Sequence, residues 1–263
     1  MNKLIRLSPT GIEYGDYAWN FASGCGNNVD GKCKGGGFNC WAYSITQRFT
    51  AHYPNGFNPT IYPEALLSPL YLKKPSRILC AFMGDLFWDC PEFDPDRPII
   101  VNGHVPATLK TVLYHVIQAR PEHTFLFLTK QPQNLPAWSP FPSNCWVGVT
   151  ATDREMFEKA IYYLAEVAAW VKYISIEPLL GQILKHNERP FWGGIDQVII
   201  GAQTKPYRPP AISDVKKIVE ACDKAGVKVF IKNNLSALAR NIAIYPDMKV
   251  GDEGWDTVRQ EIP

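Results

Sequence analysis

Residues 144–178 read NCWVGVTATDREMFEKAIYYLAEVAAWVKYISIEP, and this stretch decides the fold. A short apolar run (144–150) is followed by a segment with helical character (154–168). A second apolar run (171–176) then ends at Glu177-Pro178. Runs that are apolar on both faces belong to strands covered on both sides, and strands alternating with helices indicate a parallel sheet.

The same unit extends in both directions. Upstream, RILCAF (77–82) and HTFLFL (123–128) read as strands around TLKTVLYHVIQA (108–119), whose apolar residues recur at helical spacing. Downstream, DQVII (196–200) and VKVFI (227–231) flank a helix over 213–225, with Ser213 as its N-cap and Gly226 as its stop. With one strand before Cys25, the pattern predicts six to seven parallel strands. The expected architecture is α/β, a full or partial TIM-like (β/α) barrel, with an open doubly wound sheet as its competitor. One domain is expected to use residues 1–263, with insert loops at 91–106 and 184–194 as surface loops or lids.

In either architecture the chemistry belongs at the C-terminal strand ends. Asp85, Lys130, Thr150, Glu177, Gln203 and Lys232 collect there. Ser175 and Glu177 share one strand face by alternation.

Composition bounds the function. Net charge is +2, so nothing global argues for electrostatic binding of nucleic acid. The first twenty residues lack a signal-peptide pattern, and no stretch approaches the roughly 18 apolar residues of a membrane span. A soluble, cytoplasmic protein with no membrane partner is the expectation. Of seven cysteines, Cys80, Cys90, Cys145 and Cys222 are scattered, whereas Cys25, Cys33 and Cys40 fall in one glycine-rich loop (19–43).

Clustered thiols in a reducing compartment are buried apolar groups, metal ligands or catalytic groups. Three readings of the loop stay open at this level. One is a structural zinc site with His52 as a fourth ligand. Another is three unrelated thiols. The third is a [4Fe–4S] cluster held by three cysteines, leaving one iron free to bind the amino and carboxylate groups of S-adenosylmethionine.

The flanking residues carry a resemblance. Trp19-Asn20, Gly24-Cys25, Cys33, Asn39-Cys40-Trp41-Ala42 and Arg48-Phe49 come first. Met83-Gly84-Asp85-Leu86-Phe87, Leu128-Thr129-Lys130, Gly148-Val149-Thr150 and Ser175-Ile176-Glu177-Pro178 follow in order. Together these resemble a phage- and prophage-associated branch of the radical SAM superfamily. The chain departs from that branch in carrying Gly35-Gly36-Gly37-Phe38 between its last two cysteines and Gly201-Ala202-Gln203-Thr204 after the strand 196–200. Its spacing also differs from the commoner radical SAM signature.

The resemblance implies an enzyme that cleaves S-adenosylmethionine to a 5′-deoxyadenosyl radical, with Cys25, Cys33 and Cys40 as cluster ligands. It implies that Met83, Gly84 and Asp85 hold the methionine amino group, with Ser175 and Glu177 suited to ribose or substrate. Lys130, Thr150, Gln203 and Lys232 are weaker substrate candidates. An external one-electron reductant, flavodoxin- or ferredoxin-like, is the implied partner. Location in a bacterium or phage-infected cell makes a nucleic-acid base one candidate substrate. The competing reading is a non-enzymatic zinc- or iron–sulfur-binding protein that acts through partners.

Overall fold

A computed structural model of the chain describes residues 4–100, 103, 107–185, 192–235 and 259–263. Eight strands form one sheet: β1 (Leu7–Pro9), β2 (Tyr17–Trp19), β3 (Arg77–Cys80), β4 (Thr124–Thr129), β5 (Cys145–Thr150), β6 (Val171–Ile176), β7 (Gln197–Ile200) and β8 (Lys228–Ile231). They lie side by side in chain order. Only β1 is antiparallel; the other seven run parallel. A doubly wound sheet reverses its order at a switch point, and this order contains no reversal. Among the described residues no backbone pairing joins β1 to β8.

The helices are α1 (Trp41–Arg48), α2 (Leu109–Gln118), the short α3 (Leu135–Trp138), α4 (Arg154–Ala165) and α5 (Ile212–Ala225). Apolar stripes place them: Leu109, Leu113, Val116 and Ile117 are buried on α2, Phe157, Ala160 and Leu164 on α4, and Val215, Ile218, Val219 and Cys222 on α5. Thr108 and Asp153 cap α2 and α4 by accepting the Thr111 and Met156 N–H groups. Gly226, at φ 70°, stops α5 as expected. The N-cap of α5 is Ala211, with no side-chain bond, so Ser213 lies inside the first turn instead.

Other boundaries moved for local reasons. The strand expected over 77–82 stops at Cys80 because Ala81 takes a left-handed φ of 59°. The helix expected to reach 168 stops at Ala165, since Ala168 gives its N–H to Ser139 Oγ and accepts from Phe141 N–H. The 91–106 insert is partly structured: Phe93 is buried, and Pro98–Ile99 pairs with Ala107–Thr108. Its residues 101, 102 and 104–106 lie outside the described residues, as do 186–191 of the 184–194 insert.

Alternation sorts the strands between two cores. Ile78, Phe125, Phe127, Val147, Ile174, Val198 and Val229 face the helices in the main core. Leu79, Leu126, Trp146, Tyr173, Ile199 and Phe230 pack on one another across the other face, with Tyr14. That inner face is therefore filled by the sheet itself. Residues between β1 and β2 also reach β8 through side chains. The Tyr14 ring meets Phe230 edge-on at 5.8 Å, Glu13 stands 3.4 Å from Lys232 Nζ, and Asn233 N–H donates to Glu13 at 3.1 Å. Arg259 and Glu261 run along the outer edge of β8, bonding Ile231 and Val229. No described helix is long and apolar enough to cross a membrane.

Gly148 marks the tightest point of the inner core. A Cβ there would stand 2.2 Å from the Tyr173 ring, whose hydroxyl donates to the Phe127 carbonyl at 2.9 Å. Gly148→Ala is expected to lower unfolding stability by about 1–3 kcal/mol through overpacking, read from urea denaturation. An unchanged midpoint would mean that the ring moves freely.

Candidate functional site

The segment carrying the three cysteines is laid over the strand ends by backbone contact. Gly24 N–H donates to the Met83 carbonyl (3.2 Å), and Asp85 N–H donates to the Gly24 carbonyl (3.0 Å). Gly24 and Gly84 form a parallel bridge. A Cβ on Gly84 would lie 2.3 Å from the Gly24 oxygen, so only glycine permits this approach. Cys25 is thereby fixed beside the end of β3.

Asp85 completes the clasp. Its carboxylate accepts from Thr129 Oγ1 (2.6 Å), Lys130 N–H (2.9 Å) and Phe87 N–H (3.2 Å), which ties the end of β3 to that of β4. Burial raises its proton affinity above the ordinary aspartate range, although those three donors and the Lys130 charge pull the other way.

Beyond Cys25 the loop crosses the sheet. Asn28–Val29 pairs with Lys32–Cys33 in a tight hairpin, Lys32 bridges to Asn39, and Cys40 N–H donates to the Gly31 carbonyl. Gln131 Nε2 donates to Asn27 Oδ1 (2.6 Å), and Thr152 Oγ1 donates to the Gly35 carbonyl (2.9 Å). The loop therefore rests on the ends of β4 and β5. Cys40 is the N-cap of α1, its sulfur accepting the Tyr43 N–H at 3.5 Å; the Cys25 sulfur accepts the Asn27 N–H at 3.3 Å.

These contacts enclose a cavity of about 140 Å³. Its wall includes Cys25, Cys33, Cys40, Gly84, Asp85, Lys130 and Thr150, so seven residues singled out from sequence are brought together. Sequence reasoning missed Asn27, Asn28 and Thr129, and gave no role to Phe38, Phe57 and Phe82, which also line it. Asn27 Nδ2 and Asn28 Nδ2 are buried with no partner. Among the described residues, no three His, Cys, Asp or Glu groups are gathered tightly enough to hold one metal ion. The thiols instead stand around the wall. Burial first, then the neighbouring Asp85, pushes the Cys25 thiol up to about 12, against the pull of the Asn27 N–H and Lys130.

Other candidates fall elsewhere. Met83 is buried and contributes its backbone carbonyl. Gln203 closes its own hairpin, donating to the Pro206 carbonyl at 3.0 Å. Glu177 and Lys232 pair with each other at 2.5 Å and, with Glu13, form a separate cluster. Burial lowers the Lys232 proton affinity, but the two carboxylates outweigh it and hold the ammonium above its ordinary range. Ser175, 1% exposed, has a hydroxyl with no partner and lies in register with Thr150. His52 is exposed past the end of α1 and does not reach the cavity wall. Cys80, Cys145 and Cys222 are core residues whose thiols burial pushes up; Cys90 is half-buried.

Fold and site define an α/β protein with a thiol-lined cavity at the C-terminal ends of a parallel sheet. The chain belongs to the family described as protein of unknown function (DUF5131), whose model matches residues 9–242. Comparison with curated proteins and with solved structures gives no match.

The raised Asp85 affinity has a sign. The folded state holds this proton more tightly than the unfolded chain, so stability falls as pH rises from the unfolded aspartate range through the folded value. In Asp85→Asn this component of the pH dependence should disappear, as read from thermal midpoints across acidic pH. Identical profiles for the two proteins would show that Asp85 is not perturbed.

Proposed function

We propose that this chain is a radical S-adenosylmethionine enzyme built on a partial (β/α) barrel, with Cys25, Cys33 and Cys40 as ligands of a [4Fe–4S] cluster. One observation carries the reading: the three thiols, widely spaced in sequence, line a single cavity at the C-terminal ends of parallel strands. The barrel reading is supported by strand order without reversal, a self-filled inner face and side-chain contact between the β1–β2 connection and the end of β8.

The residues present suit such a group. Three thiols leave one iron of a four-iron cluster without a protein ligand. The buried amide donors of Asn27 and Asn28, which lack partners, are suited to sulfide or to ligand oxygens. The cavity's volume suits a compact group rather than a whole ligand of ordinary size. A larger molecule therefore extends past the half-exposed Trp41. Such a group, held by Cys25, Cys33 and Cys40, would supply one-electron chemistry for the reductive cleavage of S-adenosylmethionine.

The chain's own residues do the remaining work. Phe38, Phe57, Phe82 and Leu128 give the cavity an apolar wall, and Lys130 offers a cation to an anionic ligand group. Asp85 spends three acceptor positions on the clasp. Its role here is to hold the loop, and any contact with the amino group of S-adenosylmethionine uses what acceptor capacity remains. Ser175, Glu177 and Lys232 lie further across the strand ends, where substrate would reach. A nucleic-acid base is among the candidate substrates, and the reaction class is that of an isomerase, lyase or transferase.

Anaerobic reconstitution tests the reading. The expected product is a brown protein with about four iron and four sulfide per chain, which releases 5′-deoxyadenosine from S-adenosylmethionine under dithionite. Cys33→Ala should abolish the cluster, whereas Cys222→Ala, on the buried face of α5, should keep it. Zinc in place of iron, or loss of the cluster only in Cys222→Ala, would reject the assignment.

A further inference from the structure

A cavity of about 140 Å³ lies below the roughly 300–1,000 Å³ of small-molecule sites, so a ligand that enters it fully needs one wall to give way. Most of that wall is tied down by backbone bonds. Gly24 is bridged to Gly84, the hairpin of residues 28–33 is paired, and Cys40 N–H is held by the Gly31 carbonyl. Residues 34–38 differ. Lys34, Gly36 and Gly37 are exposed, and three consecutive glycines form the crest of a strap between the buried Cys33 and the cavity residue Phe38.

The strap is held firmly at its base and weakly at its crest. At the base, Cys33 N–H donates to the Phe38 carbonyl (2.9 Å), Gly37 N–H to the Cys33 carbonyl (2.7 Å) and Lys34 N–H to the Asn27 carbonyl (2.7 Å). These bonds lie within the cysteine loop and do not depend on contact with the strand ends. At the crest, among the described residues, one hydrogen bond comes from the strand ends, from Thr152 Oγ1 to the Gly35 carbonyl at 2.9 Å. The other contacts are with flexible side chains. A Cβ on Gly35 would lie 3.3 Å from both Lys130 Cδ and Met156 Cε, and one on Gly36 would lie 2.4 Å from Leu180 Cδ1. Leu180 N–H in turn donates to the Thr152 carbonyl at 3.2 Å, so the two holding residues form one unit. Glycine loses more backbone freedom on ordering than any other residue, and Gly36 and Gly37 sit at φ 128° and 68°. Three glycines held down by one bond make a crest that releases easily.

We propose that residues 34–38 form a hinged flap on the cavity, latched by Thr152 on the Gly35 carbonyl and by Leu180 on Gly36, and that raising it admits a ligand. The flap turns about Cys33 and Phe38, where its internal bonds converge. Raising it uncovers the stem of Lys130 and the flank of Cys33, both part of the cavity wall, and so enlarges the cavity at the ends of β4 and β5. Lowering it closes the wall again. The motion calls for no particular ligand chemistry, so it stands apart from the radical enzyme reading. Under that reading the same flap shields the reaction from water.

Thiol alkylation tests the latch on the full chain, freed of metal and kept reduced, with iodoacetamide as the entering probe and peptide mass spectrometry as the readout. Thr152→Val keeps the buried shape and removes the donor. It is expected to speed alkylation of Cys33 by about five- to tenfold, the effect of losing one net hydrogen bond. Leu180→Ala, at a position 39% exposed, should also speed Cys33 without touching the core. Cys40, outside the flap, should keep its rate in both variants. Cys222, fully buried on α5, should stay protected and so report an intact fold. A second measurement uses the chain as purified: endoproteinase Lys-C should cut after the exposed Lys34 faster in both variants than in wild type.

Wild-type rates at Cys33 and Lys34 in both variants would overturn the latch. Equal acceleration at Cys33 and Cys222 would show that Thr152 and Leu180 serve the whole fold, and the flap would fall with it. Faster cutting after Lys34 with Cys33 unchanged would mean a strap that moves without opening the cavity, which also rejects the proposal. Success or failure of cluster reconstitution bears on none of these rates.

Discussion

The site depends on two backbones approaching more closely than any side chain allows. Gly24 and Gly84 meet in a bridge in which a single added carbon would sit 2.3 Å from a carbonyl oxygen. That bridge continues the parallel pairing of β2 with β3 past the strand ends and delivers Cys25 to the mouth of the sheet. Asp85, the next residue, then turns its carboxylate to β4 and fixes the neighbouring wall. Sheet, clasp and loop therefore form one hydrogen-bonded unit, and the thiols inherit their placement from it.

Much of the architecture was legible because it is written in local pattern. Apolar runs, helical stripes and the stop at Gly226 placed six of the seven parallel strands and three of the main helices to within a few residues, and the remaining strand only as lying before Cys25. Boundaries failed where tertiary contact overrode pattern, as at Ala81, whose left-handed backbone nothing in RILCAF announces, and at Ala168, claimed by Ser139 and Phe141. The antiparallel β1 was also invisible, since LSP is too short to show a period.

The site was legible in part for the same reason. Three thiols among glycines stand out in any reading, and strand-end positions pick out Asp85, Lys130 and Thr150. Strand-end logic cannot tell which polar residues share a cavity. Glu177 and Lys232 come from just past β6 and just past β8, and both pair within a cluster with Glu13 rather than with the thiols. Asn27 and Asn28 were missed because an unpartnered amide is a property of packing, with no signature in sequence. Gly84 looked like part of a ligand loop, whereas its decisive contact is with a glycine sixty residues earlier.

The contacts between residues 12–14 and β8 have a consequence for how the sheet is finished. A sheet closed by backbone ladder has a girth fixed by strand number and stagger. Here the β1–β2 connection meets the end of β8 through a carboxylate, an ammonium and two aromatic rings, while residues 259–261 bond the outer edge of β8. Side-chain length then sets how near the β1–β2 connection comes to β8, and single substitutions at Glu13, Tyr14 or Lys232 change that spacing without removing a backbone bond of the sheet.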